Sequence, residues 1–283
     1  MKFATIIVFV LLLLMSVVVA LTMELQNSEQ PRYNSENFRG GYHHSGYYRK
    51  FPENIIRASH GVPEAVDYRL FEIAPGHVTM YSSTMPWHVK SLQSVLHREF
   101  PTAPRTIVDA TAHIGADTAN FMRTFPAAEI TAVEIDPAIA AITRRNVARI
   151  YGSLQSSGAA PRVICADAAD YIRALPSTSA PDLLYLDPPW GNNLRHALMV
   201  GSFSAPQAIA QALAAGTRAV AIRLPHDTDL DTFERAVDHC AKGLKLSSVT
   251  STRSAICDAR RMREPTCPTH KLGLGMWLLI FRK

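Results

Sequence analysis

The chain has 283 residues, of which 47% are hydrophobic and 19% charged, and its mean hydropathy is close to zero. This is the composition of a globular protein that buries a core, either as one domain with an extension or as two small domains. Four cysteines are too few for a disulfide-stabilised scaffold, and a net charge of +5 permits a polyanionic partner without requiring one.

A long apolar segment comes first in the chain. Residues 3–23 carry no charge and consist mainly of Ile, Val and Leu. A helix over them would be ~31 Å long, which matches the hydrocarbon thickness of a bilayer. The alternative is a cleaved signal peptide with a weak cleavage site at Val18-Val19-Ala20, but the run is longer than the usual signal core of ~7–15 residues. We therefore predict a single-pass membrane anchor.

A polar segment follows over residues 24–62 and is rich in Tyr, His, Asn, Ser and Gly. This composition predicts a flexible linker. Tyrosines interleaved with basic residues can also stack on single-stranded nucleic acid. A tether between the membrane and a folded domain is the interpretation that we prefer.

From about residue 105, short apolar runs alternate with helical stretches, a pattern typical of an α/β fold with a mostly parallel sheet. Five strands are predicted, over 106–110, 129–135, 162–166, 182–186 and 218–224. Helices are predicted over 116–124, 137–151, 205–215 and 229–242. The last two apolar runs, 245–250 and 272–281, are expected to pair as an antiparallel hairpin.

Ligands of such sheets bind at the carboxyl ends of the strands, so the residues at those ends are candidates for a site. The first strand ends at Asp109 and continues into a turn of mostly small residues that contains Thr111, His113 and Gly115. A turn of this kind lets a ligand approach the backbone closely, although it also occurs in ordinary helix–strand packing.

The second and third predicted strands also end in acidic residues. Glu134 can accept hydrogen bonds from both hydroxyls of a ribose, while Asp136 is expected to cap the helix that Pro137 opens. Asp167 can accept from the exocyclic amine of adenine, or it can simply cap the next helix.

The fourth strand ends in the most specific motif of the chain, Leu186-Asp187-Pro188-Pro189-Trp190-Gly191. Two consecutive prolines fix the backbone and lack N–H groups, which leaves rigid carbonyls available to hold a planar amine. Trp190 offers a face on which a base can stack. The structural alternative is that the prolines end the strand and the tryptophan lies in the core.

Together these segments resemble the trimethylguanosine synthase family of RNA cap guanine-N2 methyltransferases, within the class I S-adenosylmethionine (SAM)-dependent methyltransferases. The resemblance runs from about Tyr68 to Asn193 and is carried by short motifs. They are Tyr68-Arg69-Leu70-Phe71, Met80 to Pro86, Asp109 to Thr118, Glu134-Ile135-Asp136-Pro137, Asn146, Tyr151-Gly152, Ile164-Cys165-Ala166-Asp167 and Pro188-Pro189-Trp190-Gly191.

The resemblance implies a Rossmann-like methyltransferase domain over 105–283, preceded by a segment, 63–104, that covers SAM and substrate. It assigns the methionine part of SAM to Asp109 and the loop with Thr111, His113 and Gly115. It assigns the ribose to Glu134, and the adenine to Asp167 with Ala168. Catalysis is assigned to Asp187, Pro188 and Trp190, and further substrate contacts to Asn192 and Asn193.

Three residues depart from the pattern of that family, which usually has Gly at His113, Ser at Asp187 and Gly at Asn192. Asp187 brings the motif nearer to ribosomal RNA guanine-N2 and adenine-N6 methyltransferases. The resemblance thus predicts methyl transfer to an exocyclic amine, first of all guanine N2 of a capped RNA. The alternatives are another amine acceptor in RNA, a small molecule or a protein, and a non-catalytic SAM-fold module on a membrane.

Capped RNA and, through the N-terminal helix, a membrane are the expected partners, and no obligate protein partner is evident. Lys2, the one charge before the apolar run, favours an N-terminus inside and so a domain outside the cytosol. Because SAM and RNA are normally found in the cytosol or nucleus, the domain is nevertheless expected to face the cytosol. Cys257, Cys267 and His270 offer three potential metal ligands, but the chain has no close cysteine pair and no evident fourth ligand, so no metal site is predicted.

Overall fold

The computed structural model of the protein describes residues 51, 53–62, 64–73, 84–154, 158–189, 198–256 and 276–283. The predicted membrane anchor, the first part of the predicted linker, and Cys257, Cys267 and His270 lie outside these residues. Within the described ranges, no helix is both long and apolar enough to cross a membrane. In the same ranges, no group of three or more His, Cys, Asp or Glu side chains is arranged to hold a metal ion.

The described chain contains seven α-helices and nine strands. The helices are α1 (Glu53–His60), α2 (Pro86–Glu99), α3 (Ala116–Thr124), α4 (Pro137–Leu154), α5 (Ala168–Arg173), α6 (Ala205–Ala214) and α7 (Leu230–Gly243). The strands are β1 (Thr106–Asp109), β2 (Glu129–Glu134), β3 (Arg162–Cys165), β4 (Leu183–Leu186), β5 (Met199–Val200), β6 (Phe203–Ser204), β7 (Ala219–Pro225), β8 (Thr250–Ile256) and β9 (Met276–Arg282).

Seven of the strands form one sheet in the order β3-β2-β1-β4-β7-β9-β8. The first five of these run parallel, whereas β9 is antiparallel to both β7 and β8. The predicted Rossmann-like methyltransferase fold, mostly parallel with an antiparallel C-terminal hairpin, is thus confirmed. Strands β5 and β6 form a separate two-stranded hairpin.

The first strand of the terminal hairpin was predicted wrongly, because residues 245–250 are mostly not a strand. Lys245 adopts a left-handed φ of 59° just after helix α7, and Leu246 is buried against the second core described below. The apolar side chains of this segment therefore pack beneath the end of a helix. The strand itself begins at Thr250, where pairing with Arg282 starts.

Strand β4 is buried along its whole length and divides its side chains between two apolar cores, as the period of two in a strand requires. Leu183 and Tyr185 belong to the core that contains α1 to α4, whereas Leu184 and Leu186 belong to the core that contains α6 and α7. The sheet therefore has helices on both faces, and its carboxyl edge remains for a ligand.

Part of the segment that was predicted as a linker is folded. Helix α1 lies within it, and its Ile55 and Ile56 are buried in the first core. The ring of Phe51 lies edge-on to Tyr68, with centroids 5.0 Å apart, and edge-on to Phe71 at 5.8 Å. Phe51 therefore already belongs to the folded domain, and the predicted linker, which extended to residue 62, was too long.

Phe121 joins helix α3 to strand β4, because its fully buried ring lies edge-on to Tyr185 with centroids 4.9 Å apart. Replacing Phe121 with Ala should lower the free energy of unfolding by ~3–5 kcal/mol, the usual cost of a large cavity in a core. Urea denaturation measures this loss. The control is Leu244→Ala, at a side chain that is 41% exposed, and an equal loss in both variants would contradict the prediction.

Candidate active site

The candidate residues of the first, second and fourth predicted strands meet at one edge of the sheet. Asp109 ends β1 and pairs in register with Ala132 of β2 and Tyr185 of β4. Glu134 ends β2, and Asp187 directly follows β4. Since β2, β1 and β4 are neighbours, these three residues lie at adjacent strand ends, and their assigned roles stay predictions.

The loop after β1 has an unusual backbone at His113, whose φ is 47°. This is the left-handed region, which a non-glycine residue rarely adopts and where the resembled family usually has Gly. The N–H of His113 donates to Glu134 Oε2 at 2.9 Å, and its carbonyl accepts from the hydroxyl of Thr143. These two contacts hold the residue in place against the strain.

Gly115 is also left-handed, with φ 86°, and stands immediately before helix α3. A Cβ at this position would lie 3.0 Å from Val147 Cγ2 and 3.1 Å from Thr143 Cγ2. Both the backbone conformation and the close approach of helix α4 therefore require glycine here. The loop is supported from behind by α4.

Asn146 ties this loop to the segment that precedes the sheet. Its buried side chain accepts from the Glu72 N–H at 2.7 Å and donates to the carbonyls of Glu72, at 2.9 Å, and Ile114, at 3.0 Å. Outside this contact, the Glu72 carboxylate pairs with Arg145 at 2.8 Å and with Arg149 at 3.5 Å. One amide therefore fixes both the segment and the loop.

Glu134 uses both carboxylate oxygens within the fold. Oε2 accepts from His113, and Oε1 accepts from the Asp136 N–H at 2.9 Å. Burial raises the pKa of Glu134, and these two N–H donors oppose the rise. Because a carboxylate oxygen has two lone pairs, each oxygen can still accept from a ribose hydroxyl. Next to it, Ile135 presents an apolar side chain that is 60% exposed.

The structure places Asp136 and Asp167 at helix N-termini. Asp136 Oδ1 accepts from the N–H groups of Ala138 and Ile139, which confirms the predicted cap. Asp167 Oδ1 accepts from the Ala169 N–H at 2.7 Å, so it caps α5, whose first residue, Ala168, is buried. The capping alternative for Asp167 is thus observed, and its contact with adenine stays a prediction.

Gly201, which sequence reasoning missed, lies directly on the carboxylate of Asp167. It forms the turn between β5 and β6 with φ 60°, and a Cβ there would be 1.8 Å from Asp167 Oδ1. No larger residue fits without displacing that carboxylate. The signal in the sequence was a lone glycine in the turn Val200-Gly201-Ser202.

Asp187 is held from two sides. Its backbone N–H donates to Thr111 Oγ1 at 2.7 Å, and its carboxylate Oδ2 lies 2.9 Å from Arg223 Nη2. Its side chain is only 10% exposed. Pro188 is buried and Pro189 is exposed. Trp190, Asn192 and Asn193 lie outside the described residues, so their predicted roles are untested.

The sequence interpretation also missed a buried polar network around Arg223, which is 4% exposed in β7. Besides Asp187, its guanidinium faces Asp117 Oδ2 at 3.4 Å. The hydroxyl of Thr84 hydrogen-bonds both Asp117 and Arg223, and the carbonyl of Thr84 accepts from the hydroxyl of Tyr68. A single arginine within the apolar strand 219–224 was the available signal, since an arginine is almost never fully buried without a partner.

Among the described residues, the carboxyl groups of Asp109, Asp117 and Asp187 outnumber the guanidinium of Arg223 at this edge of the sheet. Burial, with Asp117 nearby, raises the pKa of Asp109 to about 8. Burial also raises the pKa of Asp187, to about 7, against the opposing charge of Arg223. Asp109 Oδ2 accepts from Thr118 Oγ1 at 2.6 Å, while Oδ1 is buried without a hydrogen-bond partner in the described part of the chain. The edge of the sheet is therefore suited to a cationic ligand.

Among known proteins, no family profile matches the chain. The chain is 30% identical over 133 residues to the ribosomal RNA small subunit methyltransferase J of Thioalkalivibrio sulfidiphilus (strain HL-EbGR7). The match covers 42% of this chain and 51% of that protein, so the chain spans about half the length of the curated relative that it matches.

Similar solved structures are methyltransferases by name. A SAM-dependent methyltransferase from Agrobacterium tumefaciens aligns with a TM-score of 0.48 and 17% identity, covering 75% of this chain and 66% of that chain. Precorrin-6y C5,15-methyltransferase from Geobacter metallireducens GS-15 aligns with a TM-score of 0.42 and 14% identity, covering 68% and 87%. Likenesses at these values say nothing about what this chain acts on.

The left-handed backbone at residue 113 should separate two substitutions that both remove the imidazole. The free energy of unfolding of His113→Val should be lower than that of His113→Gly by about 1 kcal/mol or more, because a β-branched residue is strained there and glycine is not. Urea denaturation compares the two. At Ile135, which is outside the left-handed region, the same pair of substitutions should show the reverse order. Equal stabilities at residue 113 would contradict the prediction.

The raised pKa of Asp109 predicts how stability changes with pH in the SAM-free protein. The folded carboxyl keeps a proton up to a pH of about 8, whereas the unfolded one loses it near 3.8. Its contribution to stability is therefore present in acid and is lost as the pH rises from about 4 to about 8. Asp109→Asn should flatten this decline in urea denaturation at pH 5 to 8. Asp238→Asn, at a half-exposed site on α7, should leave it unchanged, and an unaltered slope in Asp109→Asn would reject the assignment.

Proposed function

We propose that this chain is a SAM-dependent methyltransferase that transfers a methyl group to an exocyclic amine of a base in RNA. The observation that carries the proposal is the meeting of Asp109, Glu134 and Asp187 at the carboxyl edge of a sheet with the methyltransferase strand order. The curated relative, whose name is that of a ribosomal RNA methyltransferase, supports both the reaction and the class of substrate.

The residues present fit SAM, which carries a sulfonium and an ammonium group. Asp109 offers a buried carboxylate oxygen without a partner in the described chain, and the surrounding acids favour a cation. Asp109 and the loop through Thr111, His113 and Gly115 would hold the methionine part. Glu134 would hold the ribose. Asp167, with Ala168, would lie at the adenine.

SAM, when bound, supplies an electrophilic methyl group, and the residues of the chain position the amine that receives it. Asp187 and the carbonyl of Pro188 would accept hydrogen bonds from the amine hydrogens and so direct the nitrogen lone pair toward the methyl carbon. Transfer would form the carbon–nitrogen bond as the carbon–sulfur bond of SAM breaks, and Asp187 or water would take up one amine proton. Positioning and fixed dipoles would provide most of the rate.

A structured RNA such as ribosomal RNA is the acceptor that we favour, for two reasons. The relative is named for ribosomal RNA, and Asp187 replaces the serine that cap methyltransferases usually carry. Guanine N2 of a capped RNA, the acceptor implied by the resemblance, is the second candidate because Pro188-Pro189-Trp190-Gly191 matches that family. In both cases Trp190 would stack on the base.

We also propose, from the sequence alone, that residues 3–23 attach the protein to a membrane and that the domain faces the cytosol. The apolar run is long enough to span a bilayer. Protease treatment of sealed membrane vesicles tests the orientation. A domain that faces the cytosol should be digested in inverted vesicles, where it lies outside, and protected in right-side-out vesicles, where it lies inside. The opposite pattern would reject the orientation, and recovery of the chain without a membrane pellet would reject the anchor.

The Asp187→Ala variant tests the reaction. Transfer of labelled methyl from SAM should fall by 10²-fold or more, because the amine loses its acceptor, while SAM binding measured by calorimetry should change little. The substrates are small-subunit ribosomal RNA, capped RNA and uncapped RNA. Asp238→Ala is the surface control.

Undiminished transfer by Asp187→Ala would reject the role of this residue. Labelling of capped RNA alone would select the second candidate. Failure of the unmodified protein to bind SAM would reject the enzyme and favour a non-catalytic module.

A further inference from the structure

Arg223 occupies a position in β7 where an apolar residue would be expected. All seven residues of the strand are buried, and its other members are Ala, Val, Ile, Leu and Pro. Removing a guanidinium from water is costly unless charged partners replace the water. The partners of Arg223 therefore identify what the arginine is for.

The principal partner is Asp187, whose Oδ2 lies 2.9 Å from Nη2 of Arg223, nearer than Asp117 at 3.4 Å. Both side chains of the Arg223–Asp187 pair are at most 10% exposed, so solvent screens the pair little. The pair joins β7 to the residue that follows β4, its neighbour in the sheet. The oxygen that makes this contact with Arg223 is Oδ2.

We infer that Arg223 is a positioning residue for methyl transfer: it favours the ionised form of Asp187 and orients the carboxylate so that its other oxygen, Oδ1, accepts the substrate amine. This inference rests on the proposed function. A protonated Asp187 would present a donor instead, which could not direct the nitrogen lone pair.

The surroundings of Asp187 explain why an arginine is needed. Asp117 on α3 repels a second negative charge, and Asp109 at the end of β1 and Tyr185 on β4 are buried nearby. Burial acts in the same direction and raises the pKa of Asp187, while Arg223 is the group that lowers it. Without Arg223, every remaining influence favours the protonated acid.

The pH profile of kcat tests the inference with the full chain. Arg223→Met should move the acid limb, where activity appears as Asp187 loses its proton, to higher pH by at least one unit. At pH 7 kcat should fall at least fivefold, with the KM for SAM changed less than threefold. Arg223→Lys, which keeps the charge, should recover part of both losses. A purely structural arginine would lower the fraction of folded protein without moving the limb.

Arg282→Met is the matched control, because Arg282 lies on the neighbouring strand β9 and pairs with Glu99 at 3.4 Å. Its profile should coincide with that of the unmodified protein. Urea denaturation establishes that each variant is folded at the temperature of the assay. If Arg223→Met does not fold, the limb of Arg223→Lys decides, and an unmoved limb in the folded variant overturns the inference.

A second measurement separates this inference from the proposed function. Carbon-13 NMR of the side-chain carboxyl of Asp187 follows its titration whether or not a substrate is known, with Asp187→Asn identifying the signal. A titration midpoint at least one pH unit higher in folded Arg223→Met supports the inference that Arg223 favours the ionised form of Asp187, and an unchanged midpoint overturns it. Absence of methyl transfer by the unmodified protein to every RNA would instead defeat the proposed function.

Discussion

The ion pair between Arg223 and Asp187 is the interaction on which the candidate site depends. In the described part of the chain, the carboxyl groups of Asp109, Asp117 and Asp187 lie at one edge of the sheet with little exposure, and the guanidinium of Arg223 contacts the last two. Burial of so much negative charge is tolerable only where it is paired or protonated. The protein combines the two, and a cationic ligand would provide the remaining compensation.

Much of the fold could be predicted because its strands are short apolar runs between helical stretches. The predicted helix 116–124 agrees with α3, and the predicted fifth strand, 218–224, differs from β7 by one residue at each end. Helix α2 was missed although Val89, Leu92 and Leu96 follow the spacing of a helical face. Helix α5 has only six residues, too few for a periodic pattern.

The candidate site was predictable only where function follows from position in a strand. Asp109, Glu134 and Asp187 were found because strand ends converge in any parallel sheet. The role of Arg223 was not predicted, because its contact with Asp187 depends on β4 and β7 being neighbours in the sheet. A local sequence pattern does not indicate which strands are neighbours. Gly201 was missed for the same reason, since its proximity to Asp167 depends on the turn of a hairpin far along the chain.

The amide of Asn146 has a consequence for the order in which the chain can open. Because one side chain binds both the backbone of Glu72 and the carbonyl of Ile114, neither partner can leave without leaving part of the buried Asn146 amide unsatisfied. The segment before the sheet and the loop after β1 thus form one cooperative unit through Asn146, which lies 74 residues after Glu72 and 32 residues after Ile114. We therefore expect their amide protons to exchange with solvent together, and a ligand that orders the loop to protect the segment as well.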